Sequence, residues 1–88
     1  MATDQQATAA YRRLMPHLSP VLDPDEALSL DQAVAAGEPY EALGWLLSSI
    51  DQPGITIPRD AFLEAFDCLN DEDKDEYEHL LHSQHISA

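Results

Sequence analysis

Eighty-eight residues suffice for one hydrophobic core and exclude two, and a chain of this size buries only about 60–65 % of the surface it exposes when unfolded. A hydrophobic share of 44 % is enough to fold, while four Lys plus Arg against seventeen Asp plus Glu leave a formal charge of -13. Such a field repels nucleic acid and anionic membrane alike and selects a basic protein as partner.

Residues 1–3 are expected to be loose, with Asp4 capping a first helix in which Ala7, Ala10, Tyr11, Leu14 and Leu18 recur at helical spacing. Pro16 should bend or end that helix near Met15. Arg12 and Arg13 read as solubilising charge paired with acidic neighbours. After a linker at Ser19-Pro20-Val21-Leu22, Asp23, Pro24 and Glu26 supply an N-cap, a first-position proline and an early acid for a second helix. Its apolar stripe is thin: Ala27, Leu30, Ala33 and Val34, with Leu28 beside it. Gly37 ends it as a left-handed cap, and Glu38-Pro39 starts a third helix at once, so the two meet at a tight corner.

The third helix has two faces. At about 100° per residue, Leu43, Leu46, Leu47 and Ile50 fall on one side and form core. Glu38, Glu41, Trp45, Ser48, Ser49 and Gln52 fall on the other, placing a large indole among carboxylates and hydroxyls. Two uses of Trp45 stay open at this point: an anchor for a protein partner, or packing against the first helix or the connector.

Asp51-Gln52-Pro53-Gly54 is a turn, and Ile55-Thr56-Ile57 is a short extended connector suited to plugging one end of the core. Pro58 opens a fourth helix with Ala61, Phe62, Ala65, Phe66 and Leu69 inward. Asn70 or Asp71 caps a fifth through Tyr77, Leu80 and Leu81, its first turn crowded with acids that the helix dipole favours. Residues 83–88 should fray. The expected architecture is an all-α, compact bundle of four to five short helices forming a single domain over residues 1–88.

No cofactor, metal or catalytic apparatus is expected. Asp71, Asp73 and Asp75 superficially match the opening of a calcium loop, but Glu76 stands where glycine must turn the chain and His82 where the bidentate glutamate belongs. His79, His82 and His85 recur every three residues without the closed four-ligand set of structural zinc. Cys68, alone in the chain, cannot form an internal disulfide, and it reads as a small buried thiol rather than a nucleophile. An acyl carrier would need an aspartate before its serine at a helix start, whereas Leu28-Ser29-Leu30-Asp31 has leucine there and lies inside a helix. No stretch reaches the ~18 apolar residues of a membrane span and no signal-peptide pattern is present, so cytoplasm is the expected address.

Gly37-Glu38, Tyr40, Ala42-Leu43 and Leu46-Leu47, then a turn, Ile55-Thr56-Ile57, and a helix with Phe62, Phe66 and Leu69, together resemble MafI-type immunity proteins. The resemblance runs from about Pro24 to Leu81 and rests mostly on packing residues. It implies a bacterial cytosolic protein, not an enzyme, that binds and neutralises a cognate toxin domain. Pro58 and Trp45 depart from the family pattern, standing where a Ser or Thr cap and a polar residue are usual, and the second is the kind of change that sets partner specificity.

The contact residues expected on the third helix are Glu38, Glu41, Trp45 and Gln52, with Asp71, Asp73 and Asp75 as a second acidic patch and Glu64 and Asp67 as outlying members. Charge would supply rate and orientation against a basic nuclease, and a desolvated anchor would slow dissociation. Occlusion of the active cleft or of an exosite both fit, as does a homodimer through an exposed Trp45. The alternative class is an acidic adaptor or nucleic-acid mimic acting on an endogenous basic protein, with the acyl-carrier reading behind it.

Overall fold

A computed structural model describes residues 2–87. It contains five helices, α1 (Asp4–Leu18), α2 (Pro24–Ala35), α3 (Pro39–Ser48), α4 (Arg59–Asp67) and α5 (Asp71–Tyr77), and two very short strands, β1 (Ile57–Pro58) and β2 (Ile86–Ser87). With 71 % of the residues helical, the class is all-α. Helix α1 packs against both α3 and α4, and α2 packs on α3. Leu14, Leu18, Leu43, Leu46, Leu47, Ile50, Ile57, Phe62 and Leu80 are the large side chains sealed between them. The phenyl rings of Phe62 and Phe66 meet at 5.7 Å in a tilted pair one helical turn apart, with Phe66 only partly buried.

Local chemistry explains most of the boundaries. The N-cap of α1 is Thr3, not Asp4: its hydroxyl accepts from the Gln6 N–H (3.1 Å) while the Gln6 side chain accepts from the Thr3 N–H (2.9 Å). This reciprocal pair orders a residue expected to be loose. Met1 lies outside the described residues. Pro16 is accommodated inside α1, which runs on to Leu18 before a 3₁₀ turn over Ser19–Val21. Completing that last turn keeps Leu18 in the core, and that burial offsets the lost backbone bond.

The corner between α2 and α3 forms as Gly37 requires. Its φ is +88°, its N–H donates to Val34 O and the Glu38 N–H reaches back to Ala33 O, satisfying two carbonyls at the end of α2. Asp23 occupies the N-cap position of α2, although its side chain makes no capping bond. Proline leads both helices, at Pro24 and Pro39.

The connector alternates as a plug should, with Ile55 and Ile57 buried and Thr56 exposed. Beyond it the structure departs from expectation in two places. Pro58 belongs to β1 and caps α4, which starts at Arg59. The tail does not fray: Ile86–Ser87 runs parallel to Ile57–Pro58 with Ile57 opposite Ile86, and the Ile57 N–H donates to His85 O (2.8 Å). Ile86 is the reason, a buried apolar side chain that carries the polar segment around it onto the core. Ala88 lies outside the described residues.

After Tyr77 the fifth helix tightens into a 3₁₀ turn over Glu78–His82, which buries Leu80. Asn70, rather than Asp71, caps α5 by accepting from the Asp73 N–H (2.8 Å).

Candidate protein-binding surface

The outer face of α3 carries Glu38, Glu41 and Trp45, all exposed. Trp45 is 53 % open to solvent, one of two large apolar side chains so placed among the described residues; the other, Leu28, is 56 % open on α2. The same helix sends Ala42, Leu43, Leu46 and Leu47 into the core, so the packing that fixes α3 also fixes where the indole stands. Glu41 precedes Trp45 by one turn and shares its face.

Glu26, from the first turn of α2, joins this face, its carboxylate accepting from the Trp45 indole N–H at 3.3 Å. The residues around it in sequence gave no sign of this, because the contact comes from the packing of α2 on α3. The Ser48 and Ser49 hydroxyls both donate to the Trp45 carbonyl, at 2.7 and 3.0 Å. Ser49, placed by periodicity on the outer face, is buried at 8 % exposure because the chain leaves α-helical geometry after Ser48. For the same reason Gln52 is exposed in the turn beyond α3 and not on the helix itself.

The second acidic patch divides. Asp71 and Asp75 are exposed on α5, but Asp73 is half-buried and accepts from the Tyr40 hydroxyl (2.6 Å), which itself accepts from the Asn70 N–H (3.0 Å). Asp73 therefore ties α5 to α3. Glu64 is likewise engaged, with Asp60, by Arg13 of α1. Asp67 is exposed. Glu64, Asp67 and Asp71 border an open groove of about 720 Å³ between the start of α1 and the junction of α4 with α5, with Lys74 at its edge. Trp45 is not part of it.

Among the described residues Arg13 pairs with two of the seventeen acidic side chains, Asp60 and Glu64, and Asp51 meets the His79 ring at 3.3 Å. Arg59 donates to the Leu81 carbonyl instead, and Arg12 lines a separate groove with Tyr11 and Asp31. The surface is thus left with most of its negative charge uncompensated.

Three tyrosine hydroxyls and the thiol have raised pKa values. Burial is the main cause for Tyr11, reinforced by its hydrogen bond to Asp31 (2.7 Å), and for Tyr40, reinforced by Asp73. Tyr77, whose hydroxyl donates to Gly44 O, is raised by burial and by Glu76 and Asp73. Burial, then the charges of Glu64 and Asp67, push Cys68 up, which keeps it a protonated thiol at neutral pH.

Among the described residues no three His, Cys, Asp or Glu side chains converge as a metal site would need. His79 faces Asp51, whereas His85 contacts the Ile55 carbonyl. Ser29 is exposed within α2, away from the start of that helix. No described helix is long and apolar enough to cross a membrane. Compared with family models, with curated proteins and with solved structures, the chain matches none.

Proposed function

We propose that the protein is a cytoplasmic immunity protein that binds a cognate bacterial toxin domain, a basic nuclease, and neutralises it by covering its active cleft or an adjoining exosite. The observation that carries this reading is Trp45. A half-exposed indole bonded to Glu26, with Glu41 one turn before it on the same exposed face, stands on a body whose acids are largely unpaired among the described residues. Uncompensated charge of one sign speeds encounter with a surface of the other and competes with phosphate for the same cations. An exposed tryptophan, once desolvated by a partner, supplies the short-range energy that charge in water does not. The resemblance of the packing residues to MafI-type immunity proteins supports the same assignment.

The test is co-expression with toxin domains encoded beside its gene. Rescue of growth, with a complex that survives a wash at about 1 M salt where the Debye length is about 3 Å, is the expected result. Capture instead of an endogenous basic protein with no toxic activity would replace this reading with that of an acidic regulator.

A further inference from the structure

We infer that the Trp45 face is a seat for one arginine side chain of the basic partner, stacked on the indole and held at its rim by Glu26 and Glu41. The inference rests on the proposed inhibitor role and adds the chemistry of its central contact. Three features lead to it. The indole N–H is already bonded to the Glu26 carboxylate, an interaction in the plane of the ring that occupies its edge and none of its faces. The Glu26 carboxylate of α2 thus sits at the edge of an aromatic ring more than half open to solvent, and Glu41 of α3 stands one turn before the ring on the same exposed face. The neighbouring hydroxyls of Ser48 and Ser49 are turned back onto the Trp45 carbonyl, so acid and indole are the chemistry this part of α3 presents.

Among the described residues none of the chain's own cations bonds to Trp45, Glu26 or Glu41. Arg13 holds Asp60 and Glu64, Arg59 donates to the Leu81 carbonyl, Arg12 lines the groove beside Tyr11, and Lys74 lies along the grooves bordered by Asp71. A guanidinium suits the seat better than an ammonium. It is flat and weakly hydrated, it stacks on an indole face, and its in-plane donors reach carboxylates beside the ring. An ammonium satisfies the charge but offers no plane to stack.

Trp45 is the single tryptophan of the chain, so its fluorescence reports the seat directly. The wild-type protein is titrated with short oligo-arginine and oligo-lysine peptides of equal length, and the titrations are repeated with Glu26→Gln, Glu41→Gln and, as a control on an exposed acid of α5, Glu72→Gln. The expected result is a saturable emission change with a Kd about threefold or more lower for arginine than for lysine. Each of Glu26→Gln and Glu41→Gln should raise the arginine Kd about threefold, with Glu72→Gln unchanged.

Equal affinity for the two peptides, or equal weakening by Glu72→Gln, would reduce the seat to the general field and overturn the inference. The two proposals fail separately. A toxin domain bound as tightly by Trp45→Ala as by the wild type removes the arginine seat and leaves the inhibitor reading standing. Arginine-selective saturation in a protein that protects against no toxin does the reverse.

Discussion

Trp45 and Phe62 are two large aromatic residues in opposite surroundings. Phe62 has no exposed surface and Trp45 has half of its own. Phe62→Ala should therefore cost about 3–5 kcal/mol in urea unfolding, the transfer of the ring plus the cavity left behind. Trp45→Ala should change stability by about 1 kcal/mol or less while weakening partner binding about tenfold or more, as an interface anchor does. The reverse outcome, a large loss of stability with binding intact, would show an indole that serves the fold. At Gly37 the space around a new side chain is open, yet φ is +88°, so Gly37→Ala should cost about 1 kcal/mol through backbone strain alone. Gly37 was readable from sequence because only the backbone sets its requirement. Glu26 was not, since its role depends on which residue of α3 the packing of α2 brings opposite it.

At the scale of elements, α5 is seven residues long and contributes no fully buried side chain of its own, so its position depends on ties to the rest. Tyr40 supplies the main one, accepting from the Asn70 N–H and donating to Asp73. Tyr40→Phe should cost about 1–2 kcal/mol and reduce hydrogen-exchange protection in α5 before it does so in α1 or α3. The raised tyrosine pKa values set a pH limit with a definite sign. A phenol whose folded-state pKa lies above its ordinary value of about 10 stabilises fully below about pH 10, and that stability is lost as pH climbs through the folded-state value. Chemical denaturation between about pH 9 and pH 12 should accordingly show a decline that sets in near pH 10. Tyr40→Phe should blunt it, because the phenolate that would face Asp73 is gone.

The helices themselves were legible because Leu43, Leu46, Leu47 and Ile50 repeat at the helical period and Pro24, Gly37 and Pro39 mark the ends. The strand pair was not. Two residues carry no periodicity, and nothing near Ile86 reveals that its partner is Ile57. A single apolar residue in a polar tail was the available signal. Thr3 is hard to read for a simpler reason: Thr3 and Asp4 are both good caps, and only the Gln6 three residues after Thr3 separates them.

For the whole molecule, composition gave the sum of the charge and the structure gives its placement. Arg13 spans α1 and α4 and neutralises acids there, while α2, α3 and α5 keep theirs. Crowded like charges destabilise a compact state, and screening relieves them. Raising NaCl from about 10 mM to about 0.5 M should therefore increase the Tm of the free protein, while slowing its association with a basic partner far more than its dissociation. A Tm that falls with salt would mean that the Arg13 pairs outweigh the repulsion. Sequence alone offers the outlying Glu64, and Asp73 of the second acidic patch, to a partner. Their use by Arg13 and Tyr40 involves residues far away in sequence, which phase cannot supply.

The parallel pairing of Ile57–Pro58 with Ile86–Ser87 acts as a clasp on everything between them. The weakly anchored α5 lies inside the closed span, so unfastening that one seam loosens it together with the tail, whereas α4 stays held against α1, and α1, α2 and α3 keep their mutual packing. The cheapest way for this protein to breathe is thus at its far end, and the amide of Ile57 should exchange with solvent on the same clock as α5.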